Sequence, residues 1–298
     1  MMPLAPASLK LEDYLRHRGH FGGHDVERTL LPKGWPAERP LAVAVNVMLE
    51  GWSDDAAPGI GPMGNPLKPG VLDLQARSWA EYGAKTGAWR LLDLLAAEKV
   101  RAVWYTSGIV AERYPALLRA IAEAGHPVAA HGWSQHVIPA YQTAEEEAAD
   151  LKRCAAALGA AQGWLSPRCT PSHRTTALLA ESGFRWHADF FDSDLPAVLD
   201  GHAKPIVAMP FTMEVNDMPL YVRYGSEPAA FSAIFARIVE SWPRLGNRPG
   251  CLDITVHAHV FGRPYGLVEL AETIATARRQ PWARLTDHSA LAALWLPG

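Results

Sequence analysis

Short apolar runs alternate along the chain with stretches of helical periodicity, and this alternation constrains the fold more than any other feature. The predicted strands cover residues 41–49, 101–106, 127–130, 163–167, 184–188, 205–209 and 252–256. The predicted helices cover residues 87–98, 116–123, 145–158, 175–182, 228–242 and 267–279. Repeated strand–helix alternation is typical of a mainly parallel sheet, either open or closed into a barrel.

The 298 residues are enough for one large α/β domain. Residues 1–40 are rich in proline, glycine and charge, so we interpret them as an N-terminal arm, and residues 41–298 as a single barrel domain. Within the domain, residues 51–72 are rich in glycine and proline and have no periodicity. Loops this long inside a compact domain are usually functional. The arm carries apolar residues spaced among charges, which favours contact with another subunit: Leu9, Leu11, Tyr14, Leu30 and Leu31.

The charge, the cysteine pattern, the N-terminal residues and the length of the apolar runs argue against several classes of protein. A formal net charge of -3 provides no basic field for nucleic acid or for an anionic membrane. The N-terminal residues lack the charged and apolar regions of a signal peptide, and no uncharged apolar run is long enough to span a bilayer. Three widely spaced cysteines argue against a disulfide scaffold and a cysteine zinc site. We therefore expect a cytoplasmic protein that acts on a small molecule.

Polar and reactive side chains follow the predicted strands where each strand ends. Glu50 follows the first strand, His131 the third and Arg168 the fourth, while His257 and His259 close the last. In parallel barrels the active site lies at the carboxyl ends of the strands. These side chains are therefore expected to converge on one pocket.

The residue types suggest particular roles. Glu50 is either a metal ligand or a general base, the alternative being a solvated loop glutamate. His257 and His259 are spaced i, i+2, which on a strand places both on one face, and burying two imidazoles for packing alone is costly. At least one of them is therefore expected to be catalytic or a ligand. His257 is the candidate general acid, and His259 the candidate substrate-binding residue or the alternative acid.

Four further residues are candidates for catalysis or substrate binding. Arg168 and Asp194 would orient His257, although Arg168 fits a buried structural ion pair equally well and Asp194 fits a helix cap. Asn216 belongs to a segment that follows a predicted strand and is assigned to substrate binding. Trp133, also assigned to substrate binding, is one of several tryptophans near the predicted site that suit a compact planar substrate better than a long sugar chain.

Several motifs in order resemble the polysaccharide deacetylase superfamily, and most closely its branch of allantoinase-like and cyclic-imide-hydrolase-like proteins. They are EYGAKTGAWRLLDLL at 81–95, ERYP at 112–115, AGHPVAAHGW at 124–133, PRCTPSHRT at 167–175, SGFRW at 182–186, DSDLP at 192–196, VND at 215–217 and HAHVFGRP at 257–264. The resemblance implies a distorted (β/α) barrel with about seven parallel strands, consistent with our strand count. It also implies hydrolysis of N-acyl or cyclic amide bonds, and a homotetramer.

The sequence departs from the superfamily pattern at the metal site. Two adjacent aspartates usually follow the first strand, one a base and one a ligand, but here Leu49 and Glu50 occupy those positions. The second histidine of the paired-histidine motif is replaced by Gln135, and His136 follows one residue later. A local shift would give a site for zinc or another divalent metal formed by Glu50, His131 and His136. Without a metal, Glu50 would have to activate water itself, which needs a raised pKa.

The sequence therefore predicts a hydrolase of carbon–nitrogen bonds that opens a small cyclic amide, ureide or imide. In the metal version, the ion lowers the pKa of a bound water and His257 protonates the leaving nitrogen. Two alternatives stay open: a deacetylase of N-acetylated sugars or small metabolites, and a catalytically inactive barrel that binds a ligand.

Overall fold

The computed structural model describes residues 18–21, 24–27, 32, 34–59, 61–64, 67–68, 70–159 and 161–296. The five apolar arm residues named above lie outside these ranges. Within the arm, strands β1 (Arg18–Phe21) and β2 (His24–Glu27) pair as an antiparallel hairpin.

The main sheet contains nine strands, and its strand neighbours are parallel except for one pair. The strands are β3 (Leu41–Leu49), β4 (Val103–Thr106), β5 (Val128–Ala130), β6 (Gly163–Trp164), β7 (Trp186–Phe190), β8 (Ala197–Leu199), β9 (Ile206–Pro210), β10 (Gly250–His257) and β11 (Ala283–Thr286). Their order is β10-β3-β4-β5-β6-β7-β9-β8, with β11 also on β3 and β8 antiparallel to β9. All seven predicted strands are present, so the predicted fold class is confirmed.

The sheet curls until its two ends approach each other. β10 pairs with one edge of β3, while β4 and β11 share the other edge. At the far end, the segment after β9 bonds to the outer edge of β10. The Thr212 and Asp253 main-chain amides each donate to the other's side chain at 2.7 Å, and the Thr255 amide donates to the Val215 carbonyl. The result is a distorted, incompletely closed barrel.

Helices cover the outside of the sheet, as the alternation predicted. They are α1 (Leu74–Tyr82), α2 (Ala88–Ala97), α3 (Gly108–Arg113), α4 (Pro115–Glu123), α5 (Ala144–Leu158), α6 (Thr175–Glu181), α7 (Ala229–Ser241), α8 (Pro264–Arg279) and α9 (His288–Trp295). Each of the six predicted helices overlaps one of these; α1, α3 and α9 are additional. None of the described helices is both long enough and apolar enough to cross a bilayer.

The ends of α5 and α9 show how local sequence and long-range contacts each position a helix. Thr143 and Glu146 form the capping box expected at the start of α5, with reciprocal bonds of 3.3 and 2.8 Å. Helix α9 instead packs against the inner core, where His288 bonds to Asp253 at 2.7 Å and to the hydroxyl of Tyr105. This buried network fixes the C-terminal helix to the barrel.

Alternation along β3 separates two cores and orients the residue that follows the strand. Val43 and Val47 belong to the core between sheet and helices, whereas Ala42 and Met48 belong to the core inside the barrel. Because side chains alternate along a strand, Glu50 shares the inward orientation of Met48.

Candidate active site

Three histidines surround the carboxylate of Glu50 at the mouth of the barrel. The Nε2 atoms of His131 and His257 lie 3.5 and 3.6 Å from Oε1 of Glu50, and Nε2 of His259 lies 3.9 Å from Oε2. All four side chains are at least nine-tenths buried. The parallel strands bring Glu50, His131 and His257 together because β3, β5 and β10 all end at this side.

His257 is held by a buried carboxylate that the strand-end pattern did not identify. Its Nδ1 lies 2.6 Å from Oδ1 of Asp217, and its main-chain amide donates to Oδ2 at 2.7 Å. The amide of Phe261 donates to the same oxygen at 3.2 Å. Asp217 therefore directs Nε2 of His257 toward Glu50.

His259 reaches the same pocket by a turn and not by strand alternation, because β10 ends at His257. This turn packs directly on the helical segment opposite. A Cβ atom added to Gly87 would lie 1.9 Å from the carbonyl oxygen of Ala258, and one added to Gly262 would lie 2.1 Å from it. Gly87 ends a π-helical turn, Gly83–Gly87, of the kind often found at functional sites. Glycine is thus required for the close approach that positions His259.

Glu50 is strongly acidic in this environment. Burial alone would raise its pKa, but the positive field of His257, the contact with His131 and the field of His259 together lower the pKa to about 2. The metal-free version of the sequence hypothesis required a raised pKa, so the direction is opposite to that expectation. Glu50 is therefore an ionised hydrogen-bond acceptor and a weak proton acceptor.

The two neighbouring histidines have pKa values shifted in opposite directions. Burial would lower the pKa of His257, but the charges of Asp217 and Glu50 raise it above the usual 6.5. Burial lowers the pKa of His259 to about 4, because repulsion by His257 and Arg263 reinforces burial against the attraction of Glu50. The raised pKa of His257 favours its protonated form relative to a free imidazole, whereas His259 is neutral near neutral pH. Neighbouring groups whose pKa values are shifted apart are candidates for acid and base roles.

The surroundings of Glu50 are compact and aromatic. The rings of Trp52 and Trp79 meet His259 edge-on, with ring centroids 5.8 and 4.6 Å away. A cavity of about 30 Å³ lies beside Glu50 and is lined by Trp52, enough for a water-sized molecule. The loop after Glu50 is fixed by Asp54, whose carboxylate accepts 2.8 Å bonds from two arginines, Arg77 and Arg113.

The residues present do not fit the predicted metal site. His136 is exposed, and its ring nitrogens lie 3.2 and 2.8 Å from the hydroxyls of Ser53 and Ser134, so it does not join Glu50 and His131. Leu49 packs in the outer core. Across the described ranges, no group of three or more histidine, cysteine or acidic side chains has metal-binding geometry. The residue that faces Glu50 in its place is His257, whose raised pKa favours the positively charged form.

Four other sequence candidates lie away from the histidines. Arg168 is exposed and contributes its main-chain amide, not its guanidinium, to this region. Asp194 is exposed at the opposite end of β10, where its carbonyl accepts from the amide of Cys251. Trp133 packs in the outer core beneath Arg153, whose guanidinium carbon lies 3.4 Å from the ring centroid. Asn216 accepts from the Met218 amide at 3.0 Å and so holds the segment that carries Asp217.

Two residues that contact these histidines were assigned no individual role from the sequence. Asp217 lies in the VND segment, but nothing local distinguishes it from its neighbour Asn216. Trp79 lies in α1, which was not predicted; the signal that could have pointed to this segment is the pair of glycines at 83 and 87, which permit a close backbone approach.

Comparison with known proteins agrees with this fold. Residues 80–177 match the sequence profile of the polysaccharide deacetylase family. The chain is 26% identical over 263 residues to a Schizosaccharomyces pombe protein named as a polysaccharide deacetylase, covering 78% of this chain and 80% of that protein. It is 24% identical over 247 residues to the peptidoglycan deacetylase of Helicobacter pylori, covering 71% and 84%. The crystal structure of PuuE allantoinase superposes with a TM-score of 0.79 at 24% identity, covering 90% of this chain and 94% of that one.

The family match and the two curated relatives identify a hydrolase that acts on carbon–nitrogen bonds other than peptide bonds. Residues 80–177 resemble a polysaccharide deacetylase domain, and the fold of the chain is similar to that of PuuE allantoinase. The resemblance identified from the motifs is therefore confirmed.

Proposed function

We propose that the protein hydrolyses a small cyclic amide, ureide or imide without a catalytic metal. The observation that carries the proposal is the position of His257 and His259 on the two oxygens of the Glu50 carboxylate, with imidazole pKa values shifted in opposite directions. A protonated His257 can donate to a leaving nitrogen, and a neutral His259 can accept a proton from water. Amide hydrolysis needs one group of each kind.

The steps follow from the positions of these groups. Glu50 holds the attacking water by accepting a hydrogen bond, and His259 takes a water proton as the oxygen attacks the carbonyl carbon. The C–N bond of the tetrahedral intermediate then breaks, and His257 transfers its proton to the departing nitrogen. Exchange of one proton each with solvent then returns His259 to its neutral form and His257 to its protonated form.

The aromatic surroundings of the site favour a compact substrate. The rings of Trp52 and Trp79 border His259. Flat rings pack well against aromatic edges and faces. The similarity in fold to an allantoinase over nine-tenths of the chain supports the same substrate class.

Proton release and acetate release together distinguish ring opening from deacetylation. Opening an imide or ureide forms a carboxylate and a non-basic nitrogen, so near neutral pH one proton enters the medium. Deacetylation of an amine forms free acetate, which ring opening does not, and releases fewer protons because the product amine takes up part of them. Assays in weak buffer should therefore be run on hydantoin, allantoin, succinimide, linear amides and acetylated chito-oligomers. We expect proton release with at least one ring substrate.

The matched variants are His257→Ala and His173→Ala. Loss of a positioned proton donor costs about 10² to 10⁴ in rate, so His257→Ala should reduce kcat by that amount and affect KM less. His173 is exposed on the surface, and its replacement should leave kcat unchanged. Turnover of the oligomers alone would refute the ring substrate, and binding without turnover of any compound would favour the inactive barrel.

A second candidate, deacetylation of an N-acetylated sugar, is favoured by a different observation. A groove of about 810 Å³ adjoins the site through Trp79 and is also lined by Tyr82, Tyr221 and Tyr265. Aromatic faces suit sugar rings, and both curated relatives described above are named as deacetylases. Release of free acetate from chito-oligomers would support this candidate.

A further inference from the structure

The side-chain amide of Gln135 is buried, and only one of its two polar atoms has a hydrogen bond. Its Oε1 accepts from the main-chain amide of Arg168 at 3.3 Å. Because a main-chain N–H can only donate, the facing atom must be the oxygen, which fixes the orientation of the amide. Its Nε2 has no hydrogen-bond partner in the described part of the chain, although the residue is only 2% exposed. A buried donor without an acceptor is uncommon and calls for an explanation.

Gln135 extends across the barrel mouth. Its main-chain amide donates to the carbonyl of Gly51 at 2.9 Å, in the loop directly after Glu50. Its side chain bonds to Arg168, in the turn after β6. Two strands, β4 and β5, lie between β3 and β6 in the sheet. Gln135 therefore crosses the carboxyl ends of these two strands, and His131 directly follows β5.

The turn that holds Gln135 is strained and firmly anchored. Arg168 and Cys169 have positive φ angles of 56° and 52°, which are unfavourable for residues other than glycine. Asp189 anchors the start of this turn, because it accepts from the amide and the hydroxyl of Ser166, both at 2.8 Å. Strain maintained by such contacts is frequent at functional sites.

We infer that the Gln135 side-chain amide donates a hydrogen bond to the carbonyl oxygen of the scissile bond and stabilises the oxyanion that forms there. The inference rests on the proposed function and names the group that polarises the carbonyl in a site without a metal. The ligand class is therefore a carbonyl compound whose oxygen accepts a hydrogen bond from the unpaired Nε2 of Gln135. As water adds to the carbon, negative charge develops on that oxygen, and a fixed N–H donor is stabilising there.

The kinetic test replaces the donor while keeping the shape. Gln135→Glu removes the N–H donors, and Gln135→Met removes donor and acceptor at similar length. Removing one oxyanion donor costs about 10² to 10³ in kcat, so both variants should lose that much activity with a smaller change in KM. Gln162→Met, at an exposed position, is the control and should keep the original kcat. Unchanged kcat in Gln135→Met would overturn the inference while leaving ring hydrolysis intact.

A binding test does not depend on turnover. The chain has five glutamines, so the side-chain amide signals of ¹⁵N-labelled protein can be assigned by comparison with Gln135→Glu. Succinimide is then titrated into the His257→Ala variant, which retains Gln135. We expect the Gln135 Nε2 signal to shift on binding, even if wild-type protein opens no ring in the substrate panel. A Gln135 signal that stays in place up to the solubility limit of succinimide would overturn the inference.

Discussion

Nδ1 of His257 lies 2.6 Å from Oδ1 of Asp217, although 40 positions separate the two residues in the chain. The other oxygen of Asp217 is fixed by two main-chain amides of the turn that follows β10, those of His257 and Phe261. This turn also carries His259. One carboxylate therefore orients the proposed acid and stabilises the segment that bears the proposed base.

Replacing Asp217 should weaken the acid without unfolding the barrel. Asp217→Asn removes the charge that contributes most to raising the pKa of His257, so the alkaline limb of the rate profile should move to lower pH. We expect kcat to fall on the order of 10² to 10³. Asp194→Asn, at the exposed position first suggested by the sequence, is the control and should behave like wild type. Equal losses in both variants would contradict the assignment.

The pH dependence of kcat/KM should report both histidines. Below about pH 4 His259 becomes protonated and cannot accept a proton, so activity should fall on the acid side near that value. As pH rises through the raised pKa of His257, the acid loses its proton and activity should fall again, above pH 6.5. Steady-state rates with a ring substrate across this range provide the test. An acid limb near 6.5 would show that His259 is not the base.

Metal removal should leave turnover unchanged, because Glu50 is neutralised by His257 and the predicted third ligand, His136, bonds to serines. Elemental analysis of protein purified without chelator is expected to show substoichiometric metal. His136→Ala should not alter metal content or kcat. Gln135→His, which restores a histidine four positions after His131, should increase metal content. Stoichiometric zinc with loss of activity on chelation would contradict the metal-free proposal.

The close approach at Gly87 gives a prediction about the turn that carries His259. In Gly87→Ala the new methyl group would meet the Ala258 carbonyl oxygen at 1.9 Å, so the turn must move. We expect lower thermal stability and a large loss of kcat, measured by circular dichroism melting and the ring assay. Gly59→Ala is the matched control, because among the described residues no atom beyond its chain neighbours lies within 4 Å of a Cβ at that position.

A homotetramer remains a proposal from the family resemblance and the apolar arm. Met63 and Leu74 are each 68% exposed, which gives the described surface apolar contacts that a partner could cover. Light scattering of the full chain at micromolar concentration should give four times the 32.5 kDa chain mass. A double variant, Leu9→Asp with Leu11→Asp, should give a smaller mass. A monomer mass for wild type would refute the proposal.

Local sequence determined the strands, the helix periodicity and the end of the sheet at which function lies. The apolar runs before Glu50, His131 and His257 predicted inward-facing residues at the ends of parallel strands, and the structure brings those three side chains together. These features depend on short-range periodicity and on the common direction of parallel strands.

Only the tertiary structure decided which groups act on one another. Asp217 and His257 meet through curling of the sheet, the orientation of Gln135 depends on a strained turn, and His136 is directed to the surface by two serines. The pKa of Glu50 likewise depends on three histidines supplied by distant segments. The sequence lists these residues, but their hydrogen bonds and charges depend on distances of a few ångströms across the barrel mouth. Those distances are fixed only when the whole sheet has folded.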